Sequence, residues 1–190
     1  MIIKFLKADE LKKEFVVSAS FYQLKVAKKV FLCRNHAIIK MKGSIRKNTP
    51  DALIVMANPG SCEPDDFTIN PPVMQNNLTN IPYVPVNTDP TQYQIMRLMK
   101  LMDWNEISII NLSDVCSGNM SEFKQRLLHV ENHSVNSHSI FSEERFIERE
   151  KYFNAVDKKV ILAWGKDQSI KKLAITAIKL LPEDKTLYGL

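Results

Sequence analysis

The chain has 190 residues, of which 45% are hydrophobic and 25% charged, and its formal net charge is +5. This is enough for one domain with a substantial core, and the apolar content excludes a wholly disordered protein. Five glycines and nine prolines exclude a collagen-like or low-complexity protein. No apolar run approaches the ~18 residues of a membrane span, and the charged N-terminus resembles a signal peptide poorly. Three cysteines without a CxxC pair indicate reduced thiols, which predicts a cytoplasmic protein.

The positive charge is concentrated in the first part of the chain. Residues 1–50 contain twelve Lys and Arg against three acidic residues, whereas residues 51–96 contain five acidic residues and no Lys or Arg. A basic region is compatible with a polyanion, because phosphate neutralisation supplies most non-specific affinity for nucleic acid. The commoner alternative is a solvated positive face. DNA, RNA or a nucleotide is therefore a candidate partner, and no membrane partner is expected.

The first predicted elements form an N-terminal basic extension, residues 1–50. Residues 4–14 are predicted to form a short helix or a polar lead-in. Residues 28–33 and 36–40 are predicted to be two strands of a hairpin, joined by a tight turn at Arg34-Asn35. A polar connector then leads into the remainder of the chain.

Residues 51–190 alternate predicted strands with predicted helices. The predicted strands are residues 53–57, 107–112, 159–165 and 186–190. The predicted helices are residues 141–153, residues 168–181 and a helix that Asp89-Pro90 begins. The alternation predicts an α/β fold in a single domain of residues 1–190, with a three-layer αβα sandwich around a mainly parallel sheet.

The carboxyl ends of the predicted strands form the candidate site, because open α/β sheets bind ligands beyond those ends. Residues 59–90, a proline-rich irregular loop, leave from the same edge, and loops of this length are usually functional or disordered. The strand ends are Asn58-Pro59-Gly60-Ser61, Asn111-Leu112-Ser113-Asp114 and Trp164-Gly165-Lys166-Asp167.

Four short motifs occur in a fixed order along residues 51–190. They are Asn58-Pro59-Gly60, Asp89-Pro90-Thr91, Asn111-Leu112 and Ala163-Trp164-Gly165. In this order they resemble the motifs of a bacterial and phage family, domain of unknown function 1643. That family usually continues into a His-Pro-Leu motif, which does not occur in this sequence.

A more distant resemblance is to the uracil-DNA glycosylases. Ala57-Asn58-Pro59-Gly60 is similar to the Ile-Asn-Pro-Gly of the mismatch-specific enzymes, and Leu162-Ala163-Trp164-Gly165 to the Leu-Trp-Gly of the uracil-specific ones. The resemblance implies a glycosylase-like fold, with Asn58 positioning a hydrolytic water and backbone amides near Gly60 and Ser61 cradling a base or sugar. The His-Pro-Ser motif of those enzymes is missing here.

The candidate catalytic residues are Asn58, Asp65 and Asp66. The Asn58 amide can orient a water and a ligand carbonyl, or it can simply satisfy the backbone of a turn. Of the adjacent carboxylates Asp65 and Asp66, one could act as a general base, or the pair could hold Mg²⁺ through water. The alternative for this pair is an exposed acidic loop, which is favoured because no third ligand is evident.

The candidate ligand-binding residues surround the same strand ends. Asp89 and Thr91 begin a helix, where capping is the first role to assign and ligand contact the second. Asn111 could contact the edge of a base. Trp164 and Gly165 offer a stacking surface and a close backbone approach, while the alternative is a tryptophan of the core.

The remaining residues that could carry chemistry give weaker signals. His129 and His133 are four residues apart and His138 follows, but surface histidines are the better interpretation. Cys62 is interpreted as an inert loop thiol. No metal and no cofactor are expected.

Two functions from different classes follow from the sequence. The first is a nucleobase- or nucleic-acid-directed hydrolase of glycosylase-like fold, with water directed by Asn58. The second is a non-catalytic module that binds nucleic acid or a nucleotide and retains the fold without the chemistry.

Overall fold

The computed structural model describes residues 5–44, 49–74 and 81–190. Residue 4 of the predicted helix, part of the predicted connector and residues 75–80 of the predicted loop lie outside the described residues. Within the described part of the chain, no helix has the length and apolar character needed to cross a membrane.

The described residues form an α/β fold around one mixed sheet of eight strands. The strands are β1 (Phe15–Val26), β2 (Lys29–Met41), β3 (Ala52–Met56), β4 (Glu63–Pro64), β5 (Tyr83–Asn87), β6 (Glu106–Asn111), β7 (Lys159–Ala163) and β8 (Thr186–Gly189). Their order across the sheet is β4-β5-β1-β2-β6-β3-β7-β8. The strands β6, β3, β7 and β8 are parallel to one another, and the pairs among β4, β5, β1, β2 and β6 are antiparallel. The sheet is therefore parallel in one half only.

The helices contribute to two hydrophobic cores on opposite faces of this sheet. The helices are α1 (Ala8–Glu14), α2 (Pro90–Met102), α3 (Met120–Asn132), α4 (Phe146–Ala155) and α5 (Lys171–Lys179). Helices α1 and α2 contribute to a core that we call the α2-side core, which includes Ile54 of β3 and Met96. Helices α3, α4 and α5 contribute to the α3-side core, which includes Val55 of β3 and Phe123. Successive side chains of a strand point to opposite faces, so β3 supplies both cores.

The predicted tight turn at Arg34-Asn35 is wrong, because both residues lie inside the single long strand β2. The hairpin partner is β1, and the connection between them is at residues 27–28, where Ala27 has a φ of 52°. Ser20 pairs with His36 and Phe21 pairs with Arg34, which leaves Asn35 as the extra residue of a β-bulge. The polar pair therefore produces a bulge instead of a turn, and the hairpin is part of the central sheet.

Two other predictions differ from the structure in extent. The polar segment 113–138, for which no element is predicted, contains α3, whose buried residues Phe123, Leu127 and Val130 follow helical spacing. The predicted long loop 59–90 contains the short strands β4 and β5, which pair with each other. A loop segment that pairs at a sheet edge has its backbone groups satisfied there.

Candidate functional site

The three predicted strand ends lie along one edge of the sheet. The last residue of β3, Met56, is in register with Asn111 on β6 and with Ala163 on β7. Asn58 therefore follows β3 at the same edge where Asn111 ends β6 and Trp164 follows β7. Parallel pairing causes this convergence, because parallel strands end on the same side of a sheet.

Asn58 is held by its side-chain amide. Its Nδ2 donates a hydrogen bond of 3.0 Å to the backbone carbonyl of Ser117, in the loop after β6. The backbone amide of Ser113 also donates to the carbonyl of Ala57, which ties the two loops together. No described residue donates a hydrogen bond to the Asn58 Oδ1, and the residue is partly exposed. The arrangement therefore fixes the orientation of an acceptor oxygen that water can reach.

Gly60 and Asp89 lie against each other beside Asn58. Gly60 has a φ of +69°, and a Cβ built on it would lie 2.7 Å from Oδ2 of Asp89. Asp89 is the N-cap of α2, accepting from the backbone amide of Gln92 at 2.9 Å, while the Gln92 side chain accepts from the backbone of Asp89. This capping box is the helix start predicted from Asp89-Pro90. Only glycine combines this backbone conformation with so close an approach.

Ser61 and Thr91 are both exposed near this contact. Ser61 Cβ would lie 3.3 Å from a Cβ built on Gly118, so the loops after β3 and β6 also meet there. Thr91 lies in the first turn of α2, and its side chain makes no hydrogen bond with the described residues.

Arg34 is the functional candidate that sequence reasoning missed, because the bulge in β2 was predicted as a turn. Its guanidinium is buried and donates to the carbonyl of Pro59 and to Oδ1 of Asn111, each at 3.3 Å. Arg34 Nε and Asn111 Nδ2 are buried and have no hydrogen-bond partner among the residues that the structure describes. A polar pair at the middle of an otherwise apolar strand was the available signal. Arg34 thereby joins Asn111 to the segment that carries Asn58.

Asp65 and Asp66 do not join this group. They follow β4, which four strands separate from β3 in the sheet order. Asp66 is exposed and accepts hydrogen bonds from the hydroxyl and backbone amide of Thr68, which lower its pKa. Asp65 lines a separate cleft of about 280 Å³ together with Lys12. A carboxyl with a lowered pKa is a weak proton acceptor at neutral pH, so Asp66 is poorly suited to the predicted role of general base.

A magnesium or zinc site has no support in the described part of the chain. No group of three His, Cys, Asp or Glu side chains there could hold a metal ion. Cys62 is buried, and its Sγ accepts from Nε2 of Gln92 at 3.3 Å.

Trp164 and Gly165 differ in burial: Trp164 packs against a core, whereas Gly165 is exposed. Trp164 is partly buried and packs against the α3-side core, which agrees with the alternative of a core tryptophan. Gly165 has a φ of +72° and is exposed, and no atom of the described residues lies within 4 Å of a Cβ built on it. Asn111 continues the face of Ile109 in the α2-side core, so the Trp164 side chain lies on the opposite face.

His138 is buried, so its interpretation as a surface histidine is wrong. Its Nδ1 is 2.9 Å from Oγ of Ser113, and burial lowers its pKa to about 4. It also lines a cleft of about 410 Å³ between the segment after α3 and helix α5. His133 is exposed, as predicted, and His129 is half-buried against Phe31. The loop after β6 also contacts this histidine, because the backbone N–H of Asp114 donates a hydrogen bond to the His138 carbonyl.

A second buried polar group is centred on Asp114. It lies on the α3 side of the sheet, opposite the face that carries Asn111. Arg145 forms an ion pair with the Asp114 carboxylate, and Tyr22 donates its hydroxyl to the same oxygen. Arg145 also donates to Asn35 at 2.7 Å and to Glu148 at 2.8 Å. Burial raises the pKa of Asp114 to about 7, against the opposing effect of Arg145. The bulge at Asn35 brings its side chain to this group.

The site at the strand ends thus places an oriented amide oxygen of Asn58 near the buried guanidinium of Arg34, which donates only to neutral groups among the described residues. Comparison of the chain with protein-family models, with curated proteins and with solved structures found no match.

Proposed function

We propose that this chain is a hydrolase directed at a nucleobase or nucleic acid, in which Asn58 directs the attacking water. The observation that carries the proposal is the fixed, accessible Oδ1 of Asn58 beyond the carboxyl end of β3. An amide oxygen held in one orientation accepts a hydrogen bond from water and so aims a lone pair of that water at an electrophilic carbon. In a glycosidic hydrolysis, the water oxygen bonds to the sugar carbon while the C–N bond breaks and its electrons go to the base. The proton that the water loses ends on the departing base, so the products are the sugar hydroxyl and the neutral base.

The fold supports this proposal through its parallel half. Strands β6, β3, β7 and β8 with helices on both faces are compatible with a three-layer αβα sandwich of glycosylase-like type, which we also propose. The resemblance of Ala57-Asn58-Pro59-Gly60 and of Ala163-Trp164-Gly165 to glycosylase motifs points in the same direction. The antiparallel half, β4-β5-β1-β2, would be an addition to that architecture. The three free thiols favour a reducing compartment, so we propose a cytoplasmic location.

The test is base excision. The protein is incubated with single- and double-stranded oligonucleotides that carry uracil, a thymine mismatch or hypoxanthine, and abasic sites are detected by alkaline cleavage. We expect Asn58→Ala to lower the excision rate by about 100-fold or more, because water orientation is lost. Asn132→Ala, at the exposed end of α3, is the matched control and should retain the wild-type rate. Equal rates in Asn58→Ala and wild type would overturn the proposal.

The alternative function, a non-catalytic binding module, is favoured by one observation. The clefts of about 410 Å³ and 280 Å³ are both lined by residues other than Asn58. The samples of the excision assay also distinguish the two functions. A binding module retains the oligonucleotide without cleaving it, and its affinity falls steeply with salt because phosphate contacts release counterions.

A further inference from the structure

Arg34 is a buried charge without a counter-charge. Its side chain is 1% exposed, and both groups that accept its hydrogen bonds are neutral, namely the Pro59 carbonyl and the Asn111 amide. Among the described residues, no carboxylate forms an ion pair with it. A guanidinium taken out of water without an anion is destabilising, so the fold alone gives no reason for a charge at this position.

The donors around Arg34 are incompletely satisfied. Both of its hydrogen bonds are 3.3 Å long, beyond the usual range for N–H···O bonds. Within the described part of the chain its Nε has no partner, and the Nδ2 of Asn111, which is fully buried, has none there either. These two neighbouring side chains therefore present one positive charge and two N–H groups, Nε of Arg34 and Nδ2 of Asn111, that lack an acceptor among the described residues. Oxyanions are the ligands that match such a donor set.

The position of this donor set is beside the proposed water-directing residue. Arg34 donates to Pro59, which lies between Asn58 and Gly60, and these two neighbours are partly exposed. An oxyanion that replaced the Pro59 carbonyl as acceptor would approach Arg34 from the side of Asn58 and Gly60. Asp89 lies against Gly60 and is the negative charge that opposes such an anion.

We propose that Arg34 and Asn111 form a phosphate subsite next to Asn58, which takes the phosphate of a nucleotide or the phosphodiester of a strand. This proposal rests on the proposed function and names the part of the substrate that the site would hold. Arg34 supplies a forked, charged donor, and Asn111 supplies one further N–H. Phosphate binding displaces the weak contact with Pro59 and leaves the Asn58 amide in place.

The test is the change in Tm and in calorimetric affinity on adding three probes to the full chain. The probes are inorganic phosphate, adenosine 5′-monophosphate and a short single-stranded oligonucleotide. We expect at least one of them to raise the Tm of the wild type. Arg34→Met should weaken that binding about tenfold or more, because a charge-assisted bond is lost. Without added ligand, its Tm should equal or exceed that of the wild type, because Met removes an unpaired buried charge.

The matched control is Arg149→Met. Arg149 is a second buried arginine with an unbonded Nε, and it lies on α4, on the opposite face of the sheet. Its substitution should leave the response to all three probes unchanged. A response to the mononucleotide alone would identify a free nucleotide as the source of the phosphate, and a response to the oligonucleotide alone would identify a strand.

Three outcomes would overturn the subsite. They are the absence of a response to any probe in the wild type, an undiminished response in Arg34→Met, and an equal loss in Arg149→Met. If Arg34→Met does not fold, Asn111→Leu replaces it and should also weaken phosphate binding. Asn58→Ala separates this proposal from the proposed function: it should lower the excision rate by about 100-fold or more and keep the phosphate response. Phosphate binding without excision in the wild type would support the phosphate subsite and contradict the proposed hydrolase function.

Discussion

Arg145 forms a buried ion pair with Asp114, although the two residues come from the segment before α4 and the loop after β6. Their side chains are 3% and 0% exposed, and the same Asp114 oxygen accepts the Tyr22 hydroxyl at 3.1 Å. This pair connects the loop beyond β6, on which the candidate site depends, to the elements of the α3 side. It therefore ties the edge of the sheet where Asn58 is held to the segment before α4.

Removing Arg145 alone is expected to destabilise the protein strongly. Arg145→Met should lower the free energy of unfolding by about 3–5 kcal/mol at pH 8, because a buried carboxylate loses its partner. The double variant Asp114→Leu/Arg145→Met should lose less, since no buried charge remains. Urea denaturation measures both. The control is Lys100→Met, which breaks an exposed pair with Glu14 and should cost about 1 kcal/mol or less. Equal losses in Arg145→Met and Lys100→Met would contradict a buried pair.

Two buried histidines predict destabilisation by acid. Burial lowers the pKa of His36 to about 3 and that of His138 to about 4, below their ordinary value of 6.5. The unfolded chain therefore takes up protons first as the pH falls below 6.5, so stability present above that pH is lost on acidification. For His36, the loss between pH 7 and pH 5 amounts to about 2 kcal/mol.

The variant that tests the role of His36 in this acid sensitivity is His36→Phe. It retains a ring at the position where the His36 and Tyr152 ring centroids are 4.4 Å apart, and it removes the titrating group. Its free energy of unfolding should fall by about 2 kcal/mol less than that of the wild type between pH 7 and pH 5. His133→Phe changes an exposed histidine and should leave the wild-type pH dependence intact. Parallel pH profiles for His36→Phe and wild type would show that His36 is not the group responsible.

The contact between Gly60 and Asp89 predicts an unusually costly alanine substitution. Gly60→Ala and Gly43→Ala both place alanine at a φ near +70°, which costs about 1–2 kcal/mol. A Cβ built on Gly43 has no atom of the described residues within 4 Å, whereas the new Cβ at Gly60 meets the Asp89 carboxylate. Thermal unfolding should therefore show a larger loss for Gly60→Ala. The excess should shrink in an Asp89→Ser background, and an excess of the same size there would exclude Asp89 as its cause.

Asp89 itself should contribute to stability as a cap and oppose anions as a charge. Asp89→Ala should cost about 1 kcal/mol, whereas Asp89→Asn should cost little, because its Oδ1 still accepts from the backbone amide of Gln92. Asp89→Asn should also strengthen phosphate binding by removing a negative charge beside Gly60. Titration calorimetry with inorganic phosphate measures this, and weaker binding in Asp89→Asn would contradict the position assigned to the anion.

The parts of the fold that could be predicted from sequence are those whose signal is local. The run Leu53–Ala57 predicts a strand, and β3 covers Ala52–Met56 because a continuous apolar stretch requires burial on both faces. Asp89 and Pro90 predict a helix start, and α2 begins at Pro90 because capping is decided by residues within one turn. Convergence of Asn58 and Asn111 at one edge also follows, because it depends only on parallel pairing.

An α/β chain whose buried strands end in polar residues can be predicted from the sequence, because hydrophobic periodicity and capping act over a few neighbouring positions. The bulge at Arg34-Asn35 depends on the pairing of β1 and β6 along both sides of β2, since the same dipeptide otherwise suits a turn. Long-range contacts also place Arg34, 77 positions from Asn111, beside the candidate site and keep Asp65 and Asp66 away from it. Strand order and burial depend on contacts between distant residues, and these contacts determine which polar side chains meet.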